Sequence, residues 1–306
     1  MAEEVWMLQT KKADFKQIGA RFRIDPVTAR IIRNRGIKGE AAIDRYLNGT
    51  LDDLYDPMLL KDMERAVSIL CEAVDTGKKI RIVGDYDIDG VCSTYILLQA
   101  FERLGSDVDF EIPDRIKDGY GINESIIEQA HADGVEVILT CDNGISAFHQ
   151  VELAKKYGMT VHHEVPLDGE KEKIPPADAV IDPKQADCPY PFPEICGAVV
   201  AYKLVQVLYA RRGVPQMEWL DLLEFAAIAT VGDVMKLQDE NRILVKYGLK
   251  KMAQTKNLGL RRLAEKNNLD LGAITAYHIG FVIGPCLNAG GRLKTAKEAL
   301  ALLRAQ

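Results

Sequence analysis

Residues 79–90 read KIRIVGDYDIDG. The first five, Lys79 to Val83, form a short run rich in isoleucine and valine, and Gly84-Asp85 stops it. Three aspartates, Asp85, Asp87 and Asp89, then alternate across five positions before Gly90. Such a run reads as a buried strand, and Gly90 to Leu104 continues in a helical pattern. The alternation repeats downstream. VDFEIP (108–113) is a predicted strand, and Asn123 is placed to cap a helix through Ala132. VEVILTCD (135–142) is a strand, Ser146 to Tyr157 a helix, MTV (159–161) the start of a strand, and ADAVIDP (177–183) a further strand. Strands spaced by helices of about 10–15 residues imply βαβ units. The expected fold class is α/β, with a mostly parallel sheet flanked by helices.

Outside this region the chain looks helical. Residues 1–55 read as small helices punctuated by Pro and Gly, and Leu59 to Thr76 as an amphipathic helix. After Pro193 the pattern is helical again, with MEWLDLLEFAAIATVGDV (217–234) as one element. The expected organisation is a helical segment over 1–55, an α/β domain over 56–215 and a helical part over 216–306. The closing AKEALALLRAQ (296–306) has neither cap nor tail, so the expectation is a chain cut from something longer.

At 306 residues, 47% hydrophobic and 27% charged, the chain fits an ordinary globular protein. No apolar stretch approaches the ~18 residues of a membrane span, and the N-terminus lacks a secretory pattern, so a cytoplasmic protein without a membrane partner is expected. The six cysteines are scattered without a Cys-x-x-Cys pair and read as reduced thiols, Cys92 and Cys141 as small core fillers. The net charge of −6 does not suggest nucleic-acid binding. Locally, Asn241 to Arg262 carries Arg242, Lys246, Lys250, Lys251, Lys256, Arg261 and Arg262 and no acid. That segment is either a solvated helical face or a phosphate-tracking surface.

In parallel α/β sheets, ligands sit at the carboxyl ends of the strands. Here those ends are acidic. The first strand runs into Asp85, Asp87 and Asp89, and VEVILTCD ends at Asp142. MTV leads into His162-His163, and Asp233 ends the apolar AAIATVG. Clustered carboxylates repel unless a cation is present, and a divalent metal removes that penalty. Carboxylates with some imidazole favour Mn²⁺ or Mg²⁺ over zinc. Two such ions about 3.5–4 Å apart activate water and clamp a phosphoryl oxygen, and a shared carboxylate such as Asp142 would bridge them. His131, His149 and His278 lie on helical segments away from these ends and read as structural, and Trp6 and Trp219 as packing residues.

Four stretches in order carry a resemblance. They are Gly84 to Gly90, then Pro113-x-Arg115-x-x-x-Gly119-Tyr120-Gly121, then Thr140 to Ser146, then His162-His163-x-x-Pro166. Together they resemble the DHH phosphoesterase superfamily, and within it the RecJ family of 5′-to-3′ single-strand-specific DNA exonucleases. GTLDDLYDPMLLKDMERAV (49–67), CPYPFPEICGAVVAYKL (188–204), ATVGDVMKLQDENRILVKYGL (229–249) and GPCLNAGGRL (284–293) extend the likeness over most of the chain. The resemblance implies two divalent metal ions, Mn²⁺ or Mg²⁺. Asp87 and Asp89 would each hold one, Asp142 would bridge them, and His163 and Asp233 would complete the second site. Asp85 would be an additional ligand or outer carboxylate, and His162 a donor beside the scissile phosphate. Arg115 and Arg292 would contact phosphate. Single-stranded DNA would be the substrate, in recombination and repair, with single-strand-binding protein and helicases as partners. The alternatives are a superfamily phosphodiesterase on short oligonucleotides or cyclic dinucleotides, and a non-catalytic scaffold.

The chain departs from the family pattern in two places. The signature Asp-His-His reads Val161-His162-His163, and the strand run before the two histidines is only the three residues Met159 to Val161. A core strand usually needs about 5–6 residues, so the expectation is that about four, including the signature aspartate, are missing. Val83 stands where phosphatase relatives carry a metal-binding histidine, which favours the nuclease branch.

Overall fold

A computed structural model describes residues 11–114, 121–143, 147–163, 175–293 and 295–305. The side chains of residues 161–163 and 292–293 lie outside that description. The chain divides into two compact units, Met1–Leu54 and Tyr55–Gln306. The first contains helices α1 (Phe15–Phe22), α2 (Pro26–Asn34) and α3 (Glu40–Asn48). Asp14 accepts from the Gln17 amide and Asp25 from those of Val27 and Thr28, so the starts of α1 and α2 are each fixed by a local carboxylate. Ala29, Ile32 and Ile43 are buried in this unit.

The second unit is built on a parallel sheet of β1 (Ile80–Val83), β2 (Val108–Glu111), β3 (Val137–Thr140), β4 (Thr160–His163) and β5 (Ala179–Val180). Their spatial order is β2-β1-β3-β4-β5. Ile80 pairs with Val108 on one side and Val137 on the other. Every residue of β1 and β3 is buried, as in a sheet covered on both faces. The polar member of β1, Arg81, is satisfied by two bonds to Asp109 and one to Asp133, at 2.7–2.8 Å.

Helices α4 (Met63–Asp75), α5 (Ile88–Arg103), α6 (Glu124–Ala132) and α7 (Phe148–Lys156) surround the sheet. Val83 and Ile138 pack with Ile126, Ile127, Val151 and Met159 in one apolar cluster, which places α6 and α7 on that face. The connection through α5 leads outward from β1 to β2, and the chain then returns through α6 to β3 on the other flank of β1. The strand order therefore reverses between β1 and β3, and such a switch point opens a crevice at the carboxyl ends.

The chain continues as α8 (Gly197–Arg211), α9 (Gln216–Leu220), α10 (Leu223–Gly232), α11 (Asp239–Met252), α12 (Leu258–Lys266), α13 (Ala276–His278), α14 (Gly284–Leu293) and α15 (Ala296–Leu303). Residues Leu223 to Thr230 are all buried, so α10 is a central helix rather than an amphipathic one. The element expected over 217–234 is two helices, broken at Asp221-Leu222. Both residues keep right-handed helical backbone angles, and the Asp221 carboxylate takes ion pairs from Lys251 and Lys256 at the junction. The same contacts bear on the basic segment. Arg262 pairs with Glu265 and the ammonium groups of Lys246 and Lys250 lie over the Tyr247 ring, while the Lys256 and Arg262 side chains remain 82% and 68% exposed, so its cations are partly neutralised locally and partly open to solvent.

The residues set aside as structural have packing partners. His131 stacks on Tyr157, His149 meets Glu124, His278 closes a capping box with Thr275, and Trp219 packs edge-on to Tyr202. Trp6 lies outside the described residues. Cys92 and Cys141 are fully buried. Among the described residues no helix is long and apolar enough to cross a membrane.

Candidate metal centre

The turn after β1 is shaped by its glycines. A side chain on Gly84 would overlap the Thr94 hydroxyl, and a Cβ on Gly90 would sit 2.6 Å from the Asp85 carbonyl carbon and amide nitrogen. The backbone therefore folds tightly back on itself, and Asp85, 2% exposed, is pressed into the crevice. Asp87 caps α5, its Oδ1 accepting from the Asp89 and Gly90 amides at 2.9 and 3.0 Å. Gly90→Ala is expected to destabilise the protein by about 1–3 kcal/mol, because backbone rather than a flexible side chain must move. An unchanged midpoint in thermal and denaturant unfolding would refute that reading of the turn.

The second element is the end of β3. Asp142 has φ +56°, a left-handed conformation that costs a non-glycine residue energy. Asn143 is fully buried, and its Nδ2 donates to the Val83 and Cys141 carbonyls at 2.9 and 3.1 Å, tying the ends of β1 and β3 together. The result is a cluster in which carboxylate oxygens of Asp85, Asp87 and Asp142 lie within 4.8 Å of one another.

Asp89 approaches from a different side. Its two oxygens accept from the Gly197 and Ala198 amides at 2.7 and 2.8 Å, the first amides of α8, where the helix end is positive. A Cβ on Gly197 would lie 3.2 Å from both Asp142 Oδ1 and Asp89 Oδ2, so glycine lets the two carboxylates flank one point. Asp233, just past α10, lines a cleft of about 130 Å³ with Asp89 and Asp142. It also lines an adjoining recess of about 210 Å³ with Asp87, Asn288 and Gly291.

Electrostatics follow from this crowding. Burial pushes the Asp89 carboxyl up to about 7; the α8 amides oppose the rise, and the charges of Asp87 and Asp233 add to it. Burial also raises Asp233, with Asp87 adding and Lys184 opposing. Five aspartates thus share one crevice with few compensating cations among the described residues. All donors are hard oxygens, a set that suits Mg²⁺ or Mn²⁺. Asp85, expected as an additional ligand or an outer carboxylate, lies in the tightest cluster with Asp87 and Asp142.

The histidines are placed only in part. His162 pairs with Leu139 and Ala179 inside β4, and His163 is the last residue of that strand. β4 thus includes both histidines and, at four residues, equals β1, β2 and β3 in length. His163 falls level with Thr140, two residues short of Asp142. The side chains of His162 and His163 lie outside the description, as do Arg115, Gly119 and Tyr120. Arg292 lies on α14 with its side chain likewise undescribed. The neighbouring Gly291 would place a Cβ 2.5 Å from the Tyr86 carbonyl, so α14 packs directly against the Asp-rich turn.

Sequence reasoning missed four groups: the Gly197 and Ala198 amides, the Asn143 side chain, Lys184 and Asn288. The one available signal was Gly197 opening an apolar helix without a side-chain cap.

Residues 79–230 match the model of the DHH family, N-terminal domain. The chain is 36% identical over 306 residues to the single-stranded-DNA-specific exonuclease RecJ of Bacillus subtilis, covering 98% of this chain and 38% of that protein. It is 37% identical over 301 residues to that of Haemophilus influenzae, covering 94% and 51%. Among solved structures, RecJ of Thermus thermophilus in complex with Mn²⁺ superposes with a TM-score of 0.78 at 30% identity, covering 95% of this chain and 41% of that one. A crystal structure of exonuclease RecJ bound to manganese gives a TM-score of 0.71 at 35% identity, covering 80% and 61%. The chain thus spans about half, or less, of the length of these curated relatives.

Proposed function

The chain belongs to the DHH family, and from that premise we propose that it hydrolyses phosphodiester bonds of single-stranded DNA, progressing 5′ to 3′. The observation that carries this reading is the convergence of Asp85, Asp87 and Asp142 within 4.8 Å at the switch point of the sheet. Two divalent ions, Mn²⁺ or Mg²⁺, would be held by Asp85, Asp87, Asp89, Asp142, Asp233 and His163. When bound, such ions acidify water and offset charge on phosphoryl oxygens.

The chain's own residues supply the framework. Asp142 lies within 4.8 Å of the Asp85 and Asp87 carboxylates and shares the Gly197 position with Asp89, which suits a shared ligand. The α8 amides hold Asp89 in one orientation, and Asp87 is fixed by capping α5. His162 would donate a proton or hydrogen bond at the scissile phosphate, and Arg115 and Arg292 would bind neighbouring phosphates. Catalysis would be mainly positioning and electrostatics. Acting on single strands in the cytoplasm, the protein would encounter single-strand-binding protein and helicases.

The test is cleavage of 5′-labelled single-stranded DNA, duplex DNA and a dinucleotide, each with Mn²⁺ or EDTA. Metal-dependent shortening of the single strand alone is expected. Equal activity in EDTA would sink the metal reading. Cleavage of the dinucleotide alone would point to a small-substrate phosphodiesterase, and metal binding without any cleavage to a scaffold.

A further inference from the structure

The first turn of helix α11 holds two polar residues, Glu240 and Asn241, that are both fully buried. Glu240 accepts from the Tyr55 amide at 2.7 Å, from Lys203 Nζ at 3.0 Å and from the Tyr190 hydroxyl. That set is closed on itself, a satisfied buried ion pair. Asn241 is different. Its Nδ2 donates to the Glu194 carbonyl at 2.6 Å and to the Lys236 carbonyl at 3.2 Å. Its Oδ1 is buried with no hydrogen-bond partner among the described residues. An unsatisfied buried carbonyl costs stability, and a leucine of similar size would avoid that cost. The amide orientation is not ambiguous, because both partners are carbonyls and only an NH₂ group serves them.

The two carbonyls adjoin two separate segments that line the acidic cleft. Glu194 directly precedes Ile195, Cys196 and Gly197, and Lys236 directly follows Met235, three residues after Asp233. All five of those neighbours line the cleft. Gly197 is also the residue whose amide grips Asp89. One buried NH₂ group therefore ties the segment that orients Asp89 to the segment that carries Asp233. A second link, the Lys236–Glu194 ion pair at 3.4 Å, spans the same segments, but its side chains are 69% and 48% exposed and such a pair contributes little.

We propose that Asn241 is a positioning residue that sets the spacing between the Asp89-holding end of α8 and Asp233, and thereby the affinity of the cleft for divalent ions. This rests on the reading of the cleft as a metal centre. Without that NH₂ group the segments would keep the packing of α8 on α10 and the buried 3.7 Å contact between Cys196 Sγ and Thr230 Oγ1, a weak sulfur contact that leaves the loops beyond the helix ends freer to shift. The carboxylates would then have to be gathered by the ion itself, at the expense of affinity.

The experiment compares wild type, Asn241→Leu, Asn241→Ser and Thr255→Val, the last removing a buried hydroxyl bond to Glu224 outside the cleft. Mn²⁺ affinity is measured by calorimetry well below each unfolding midpoint. Amide hydrogen exchange at Gly197 and Ala198 is followed in metal-free protein. Asn241→Leu is expected to weaken Mn²⁺ binding by about 10–100-fold, the range typical of outer-shell supports of metal ligands. It should also speed exchange at both amides. Thr255→Val should lower the midpoint without either effect. Wild-type affinity and protection in Asn241→Leu would overturn the proposal. So would failure of both Asn241 variants to fold, since the residue would then serve general stability. Wild-type protein that takes up no Mn²⁺ would defeat the metal reading instead, while the exchange measurement still judges the tie.

Discussion

Asp142→Asn is expected to cut phosphodiesterase activity by on the order of 10³-fold while leaving the metal-free protein at least as stable as wild type. The two effects have separate causes. Asparagine keeps the shape of aspartate, so the close approach of Gly197 to the Asp142 side chain is preserved. It removes one of three carboxylates that lie within 4.8 Å, which relieves repulsion whenever no cation is bound. Asn and Asp are both several-fold enriched at positive φ, so the +56° at this position remains acceptable. What is lost, on the proposed reading, is the negative charge that would be shared between two ions. Asp142→Ala lacks that local tolerance and should be less stable than Asp142→Asn by about 1 kcal/mol. The measurements are turnover of single-stranded DNA with Mn²⁺ and melting with and without Mn²⁺. Activity within tenfold of wild type, or a metal-free protein clearly weakened by the asparagine, would defeat the assignment of Asp142.

How far the sequence reached is clearest at Asp87 and Asp89. The run from Lys79 to Gly90 announces a strand, a tight turn and a helix start, and each follows from local chemistry alone: β-branched residues, glycine, and aspartate at an N-cap. The parallel sheet and its acidic carboxyl ends were legible for the same reason. What holds Asp89 was not legible, because the amides that bind it are 108 and 109 positions away and carry no side-chain signature. The rank of Asp85 also depends on tertiary structure, since only the fold-back over Gly90 presses it against Asp87 and Asp142. The basic run near α11 shows what a count along the chain leaves out. Charge counted along the chain ignores Asp221 and Glu265, which fold back onto three of its cations. The break at Asp221 escaped for a related reason: leucine-rich periodicity continues through it, and the backbone on both sides of the break stays near helical angles.

The second large effect concerns pH. Metal-free protein is expected to lose stability as pH rises from 5 to about 7.5, and Mn²⁺ is expected to reverse the trend. The sign follows from Asp89. Its carboxyl titrates near 7 in the folded protein, against 3.8 ordinarily, because it is buried, and the charges of Asp87 and Asp233 add to that. Between those values the unfolded chain has already released the proton while the folded protein keeps it. Folding then takes up a proton, and each unit of pH through that window weakens it. A difference of about 3 units corresponds to at most about 4 kcal/mol, fully felt above pH 7. Asp233, also raised by burial, acts in the same direction. Glu224, buried beside Thr255 and pushed up to about 7, adds its own share. Because Glu224 does not line the cleft, the comparison belongs in a Glu224→Gln background. Carboxyls held low by arginine, such as Asp75 and Asp133, titrate below this window and do not interfere. A divalent ion binds only the ionised aspartates, so the stabilisation by Mn²⁺ should grow over the same interval. Asp89→Asn should flatten the metal-free slope, although its amide NH₂ would face an α8 N–H and lower stability at every pH. Metal-free stability that is flat or rising from pH 5 to 7.5 in the Glu224→Gln protein would show that Asp89 is not protonated there. The crevice would then be open to water and counter-ions rather than kept for a metal.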